Sequence, residues 1–105
     1  MSVTLHQIAP WNDRLRNPYR TRWAQVGDHR YKVSAEWLNG MWTVEQVNED
    51  GDWMPYGAEA TVAMVFNLDE ARAAIEAHAA GKTRDEIDAA VSAVPRRRRR
   101  SGRTW

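Results

Sequence analysis

The dipeptide Asn39-Gly40 is the feature that most constrains how this chain can fold. A two-residue type I′ turn needs a positive φ at both central residues, and Asn followed by Gly adopts those angles at little cost. Apolar and polar residues alternate on both sides of the dipeptide, as in two half-buried strands. We therefore predict a β-hairpin in which Leu38 opposes Met41, Trp37 opposes Trp42, Ala35 opposes Val44, and Val33 opposes Gln46.

Further alternating segments extend this hairpin into a meander. Residues 30–38 place Tyr31, Val33, Ala35 and Trp37 on one face of a strand. Gly27-Asp28 marks a turn before that strand. In the strand before the turn, Tyr19, Thr21 and Trp23 are predicted on one face, and Arg20, Arg22 and Ala24 on the other.

The segment that follows the hairpin is less regular. Residues 48–52 form a looser turn, and Pro55 limits the piece that begins at Trp53 to a sheet edge or an irregular path. Residues 60–66 are an apolar run that fits either a buried strand or the approach to a helix. Both interpretations remain open at this point.

Two helices are predicted in the C-terminal third. Asn67 and Glu70 have the spacing of a capping box, and so do Thr83 and Glu86. The first helix, over residues 68–80, ends at Gly81, and the second ends before Pro95. Their apolar faces carry Leu68, Ala71, Ile75 and Ala79 in the first helix, and Ile87, Ala90, Val91 and Val94 in the second.

Strands followed by helices favour an α+β fold. We expect an antiparallel β-meander of three to four strands, covered on one face by one or two C-terminal helices, with a basic C-terminal arm. Residues 1–18 are predicted to be an irregular N-terminal arm, 19–94 the α+β domain, and 95–105 an Arg-rich tail. The covered face would hold Trp23, Val33, Ala35, Trp37, Trp42 and Val44.

Charge is strongly segregated along the chain. The sequence has 15 basic and 14 acidic residues, and six of the bases are arginines in the last ten residues, where no acid occurs. The tail therefore carries +6 on a body of −5. Blocks of like charge usually act as interaction arms.

Several classes of function lack their sequence signals. The chain has no cysteine, so disulfides and thiolate metal sites are excluded. His6, His29 and His78 do not have metal-ligand spacing, and no nucleophile motif or Gly-rich phosphate loop is present. We expect a protein that is not an enzyme and uses no cofactor or metal. No secretory or membrane-spanning segment is visible, so a cytoplasmic protein without a membrane partner is expected.

One resemblance to known proteins adds to these expectations. The stretch from Trp42 through Gly51 to the segment Asn67-Leu68-Asp69-Glu70-Ala71-Arg72-Ala73-Ala74-Ile75-Glu76-Ala77-His78 resembles small uncharacterised proteins of actinobacterial phages and mobile elements. Those proteins often join a Trp-rich β-meander to a helix that begins Leu-Asp/Glu-Glu-Ala. The resemblance implies a small accessory protein and carries over no functional residue.

The leading hypothesis is a nucleic-acid-associated accessory protein. Consecutive guanidinium groups neutralise phosphates and release counterions, which gives salt-sensitive binding with little sequence selectivity. The residues predicted to contact phosphate are Arg96, Arg97, Arg98, Arg99, Arg100 and Arg103 in the tail, and Arg20, Arg22 and Lys32 on the outer face of the first strands. That outer face is better explained as the solvated side of a half-buried sheet.

Two alternatives use other parts of the chain. A phage-encoded inhibitor or modulator would grip a host protein through an exposed Trp and acidic surface formed by Trp53, Asp50, Asp52 and Tyr56. A self-assembling component would pair its tail with an acidic protein surface, such as the −9 region formed by residues 33–95 of another copy. The second alternative predicts a homo-oligomer.

Overall fold

The described residues of the computed structural model, 3–7, 21–35, 40–52 and 60–95, form one antiparallel sheet with two helices. The sheet order is β1-β2-β3-β4, so each strand pairs with its neighbour in sequence. The α+β meander with two C-terminal helices is therefore confirmed. The elements are β1 (Thr21–Val26), β2 (His29–Ala35), β3 (Trp42–Val47), β4 (Thr61–Val65), α1 (Leu68–Ala79) and α2 (Arg84–Ser92).

The helices cover one face of the sheet, which we call the helix face. Strand alternation places Tyr31, Val33 and Val44 on it as predicted, and all three are fully buried. Val65 from β4 and Ile75 from α1 complete the centre of the same core. The predicted core residue Trp37 lies outside the described residues, and so does Tyr19.

The register of the central hairpin differs from the prediction by two residues. Ala35 opposes Trp42 and Val33 opposes Val44, whereas the predicted partners were Val44 and Gln46. Residues 36–39, which include the predicted turn residue Asn39, lie outside the described residues. Gly40 does have the positive φ expected of it, 71°. A shift of two residues keeps every side chain on its predicted face of the sheet. In the observed register Val33 opposes the core residue Val44, whereas in the predicted register it opposed Gln46.

The predicted faces of the first strand are wrong. Ala24 is fully buried on the helix face, whereas Trp23 lies half-buried on the opposite, open face. The reason is the Gly27-Asp28 turn, which pairs Val26 with His29 and therefore Trp23 with Lys32. On the open face the Trp23 ring stacks on His6, with 4.5 Å between ring centroids.

The N-terminal arm contributes to the sheet edge. His6 and Trp23 exchange two backbone hydrogen bonds of 2.9 Å, which form an isolated antiparallel bridge beside β1. Val3 is buried in the core cluster and Leu5 packs against it. This part of the predicted irregular arm is therefore paired with the domain.

Residues 60–66 contain a strand, which decides between the two interpretations left open by the sequence. Val44 opposes Ala63 while Glu45 opposes Thr61, so Val62 is an extra residue in β4. A bulge of this kind sets two residues against one. It explains why the consecutive residues Val62 and Ala63 are both buried in the core.

The first helix begins with a modified capping box. Asn67 Oδ1 accepts a hydrogen bond from the Glu70 backbone N–H at 2.8 Å, as predicted. The Glu70 carboxylate reaches one residue further back than predicted and accepts from the Phe66 N–H at 2.8 Å. Ala71 and Ala74 are fully buried, and alanines at these positions let α1 approach the sheet closely. Gly81, with a φ of 83°, ends the helix as expected.

The second helix begins with the predicted capping box. Thr83 Oγ1 accepts from the Glu86 N–H at 3.2 Å, and Glu86 Oε1 accepts from the Thr83 N–H at 2.8 Å. These hydrogen bonds hold the pKa of the Glu86 carboxyl below its usual value. Ile87 is buried, whereas Ala90, Val91 and Val94 are half-buried.

We expect Thr83→Ala to lower the free energy of unfolding by about 1 kcal/mol, because the helix loses its N-cap acceptor. Urea denaturation followed by circular dichroism measures this loss. Thr83→Ser is the control, since it keeps the hydroxyl and should stay close to wild type. Equal losses in the two variants would show that the Thr83 methyl group, and not the cap, stabilises α2.

Candidate functional site

The predicted phosphate-binding tail follows directly after α2. Ser92 is the last residue of that helix and Pro95 the last described residue. The tail arginines, Arg96, Arg97, Arg98, Arg99, Arg100 and Arg103, lie outside the described residues, and so does Arg20. Their role in binding stays a prediction.

Of the three cations predicted on the outer face of the first strands, the two that the structure describes do not share a face. Arg22 shares the helix face with Ala24, and its guanidinium carbon lies 5.7 Å from the ring centroid of Trp42. Lys32 points to the open face, where it lies between Trp23 and Glu45 on the neighbouring strands. The two cations are therefore separated by the sheet, because the turn at residues 27–28 places them on opposite faces.

The solvent-exposed charge of the described residues is mainly acidic. Only two bases, Lys82 and Arg84, are exposed in this part of the chain. The other four described bases are half-buried. Nine acids are exposed: Asp28, Glu49, Asp50, Asp52, Asp69, Glu76, Asp85, Glu86 and Asp88. A polyanion that approaches this surface meets net repulsion.

The predicted protein-binding surface is described only in part. Asp50 and Asp52 are exposed in a turn that Asn48 organises, since Asn48 Oδ1 accepts from their backbone N–H groups at 2.8 Å and 3.0 Å. The Asn48 side chain therefore explains the conformation of this turn. Trp53 and Tyr56 lie outside the described residues.

Arg30 in β2 links the turn at residues 48–52 to β1 by hydrogen bonds. Its guanidinium donates to Gln25 Oε1 at 2.8 Å and to the Glu49 carbonyl at 3.2 Å. Glu45 lies within β3 and is only 9% exposed. It therefore adds little to the acidic surface formed by Asp50 and Asp52.

Two large apolar side chains are exposed near the end of β4. Met64 is 48% exposed and Phe66 is 54% exposed. Met64 opposes Thr43 on the open face, opposite to the buried Ala63 and Val65. The alternation expected of a half-covered sheet is therefore present in β4, although the sequence reads as a continuous apolar run.

A cluster of ring side chains at one end of the helix face was not predicted from the sequence. Tyr31 Oη lies 2.8 Å from His78 Nδ1, and Gln46 Nε2 lies 3.2 Å from His29 Nδ1. The His29 and His78 rings meet edge to face, with 6.1 Å between centroids. His29 and Tyr31 share a face by strand alternation, but only the docking of α1 brings His78 to them.

Burial is the main cause of the shifted pKa values of Tyr31 and His78. It raises the pKa of the Tyr31 hydroxyl above its ordinary value, so this group stays protonated. It also lowers the pKa of His78, and the positive charges of His29 and Arg84 lower it further. The cluster therefore favours a neutral His78 beside a protonated Tyr31.

Other kinds of site find no support in the described part of the chain. No three His, Cys, Asp or Glu side chains converge there to hold a metal ion. None of the described helices is long and apolar enough to cross a lipid bilayer.

Comparisons with protein-family models, with curated proteins and with solved structures found no match to this chain.

Proposed function

We propose that this chain is a non-enzymatic, nucleic-acid-associated accessory protein that binds phosphates through its Arg-rich tail. The observation that carries the proposal is the segregation of charge, with six arginines in the last ten residues and a net negative body. Five consecutive guanidinium groups can neutralise phosphates of a nucleic acid without selecting a sequence. A cytoplasmic setting fits the absence of cysteine.

The described body supports a binding mode in which the tail acts alone. Arg22 lies on the helix face and Lys32 on the open face, so these two described cations do not form one basic surface. The exposed acids of the body repel a phosphate backbone. The number of phosphates neutralised should therefore not exceed the six charges of the tail.

The test is the binding of a labelled DNA duplex and a labelled single strand, measured by fluorescence anisotropy over a series of salt concentrations. For the duplex, the slope of log K against log salt should be no steeper than about −5, since each phosphate contact contributes about −0.9. A full-length variant with all six tail arginines replaced by Gln should lose this binding. The matched control replaces the same six by Lys, which keeps the charge and most of the salt-dependent affinity.

Three outcomes would contradict the proposal. No binding at low salt would remove nucleic acid as the partner. Binding that survives the Gln replacements would place the contact on the body. A slope much steeper than that of six contacts would require bases beyond the tail.

A further inference from the structure

We propose that His29, Tyr31 and His78 form an acid-sensitive latch that holds the C-terminal turn of α1, residues 76–79, on the sheet and releases it in mild acid. The cluster joins the last turn of α1 to β2. Nothing in the proposed nucleic-acid binding uses these residues. The latch is therefore independent of that function.

In the closed state of the latch, Tyr31 and His78 are joined by a hydrogen bond. Tyr31 is fully buried and its hydroxyl stays protonated, so it can donate to Nδ1 of a neutral His78 at 2.8 Å. A protonated imidazole donates from both ring nitrogens and accepts from neither. The Tyr31 hydroxyl hydrogen would then lose its acceptor, and a buried donor without a partner is destabilising.

The charges around His78 act in the same direction. From β2 it faces His29 and Tyr31, from α2 it faces Arg84, and Gln46 of β3 contacts His29. Both of the charges that act on its imidazole, those of His29 and Arg84, are positive. The His29 charge repels a protonated His78 across the edge-to-face contact, in which the ring centroids lie 6.1 Å apart.

The sign of the pH dependence follows from these contacts. The pKa of His78 in the folded state lies below its ordinary value of 6.5, so the folded chain binds fewer protons than the unfolded chain. Its contribution to stability is complete above pH 6.5 and is lost as the pH falls through the folded-state pKa. Glu86 has a lowered carboxyl pKa and titrates in more acidic solution, which separates the two effects.

The release is expected to be local because the rest of α1 is anchored differently. Ala71, Ala74 and Ile75 are fully buried and contain no titratable group. The turn after the helix is held by the backbone hydrogen bonds of Ala80 to Glu76, Gly81 to His78, and Lys82 to Ala77. Those amides therefore report directly on the state of the latch.

The test is amide hydrogen exchange of the full chain at about pH 7.5 and about pH 5.5, a window in which histidines titrate, with rates corrected for intrinsic exchange. Protection at Ala80, Gly81 and Lys82 should fall in acid by a larger factor than protection at Val33 and Val44 in the central strands. His78→Gln should abolish the difference between the two groups of amides. His29→Gln should reduce it.

His6→Gln is the matched control, because His6 is the one histidine of the chain outside the cluster. It should behave as wild type. The proposal is overturned if wild-type protection falls equally at the turn and in the strands, or if His78→Gln retains the acid response. If a variant folds poorly, the wild-type comparison still overturns the proposal when the turn and the strands lose protection equally.

Discussion

Ile75→Ala should lower the free energy of unfolding by about 2–5 kcal/mol, the range for truncating a fully buried isoleucine. Ile75 is one of the largest fully buried side chains, and it lies where α1 packs on the sheet. Its neighbours Ala71 and Ala74 are already small and cannot move inward to fill the space. The cavity should therefore persist, which favours the upper part of the range. Urea denaturation followed by Trp fluorescence measures the loss.

Met64→Ala is the control for this substitution. It also removes a long apolar side chain, but Met64 is 48% exposed on the open face. Its cost should be below about 1 kcal/mol, as for surface substitutions. If the two variants lost similar stability, the helix face would not be the principal core of the domain.

Glu70→Ala should lower the free energy of unfolding by about 1.5–3 kcal/mol, the range for a hydrogen bond to a charged group. Glu70 is fully buried at the start of α1, and its Oε1 accepts from the Phe66 N–H at 2.8 Å. Alanine removes that acceptor while the Phe66 amide stays in place. It also removes a negative charge from the positive end of the helix dipole.

Glu70→Gln separates these two contributions. The glutamine side chain keeps a carbonyl oxygen for Phe66 but removes the charge. We expect it to retain most of the stability lost in Glu70→Ala, with an unchanged dependence of unfolding free energy on urea. Equal losses in both variants would show that the carboxylate charge, and not the acceptor at Phe66, stabilises this junction.

The elements of the fold could be predicted because their signals are local. Asn67 and Thr83 accept from backbone N–H groups three residues ahead, and such caps depend on no distant contact. Gly81 ends α1 because a glycine adopts a positive φ at no steric cost. The alternation in β2 and β3 likewise fixes which side chains share a face, whatever the strands pair with.

The prediction that Trp23 lies on the core face is wrong because it depended on side-chain size and not on the neighbouring turn. Its aromatic ring and its neighbours Tyr19 and Thr21 suggest a core face. The turn at Gly27-Asp28 instead pairs Trp23 with Lys32 and places Ala24 beside Tyr31. A two-residue turn determines the faces of both strands, so it is a stronger constraint than side-chain size. The same turn also places Arg22 and Lys32 on opposite faces of the sheet.

The sequence by itself determined the first three strands, the two helices with their caps, and the concentration of positive charge in the tail, because each depends on residues close together in the chain. Only the tertiary structure decided the hairpin register, the bulge at Val62 and the meeting of Tyr31 with His78. Tyr31 and His78 are 47 residues apart, and no periodicity relates them. Their contact depends on how closely an alanine-faced helix packs on the sheet, which is a property of the assembled core.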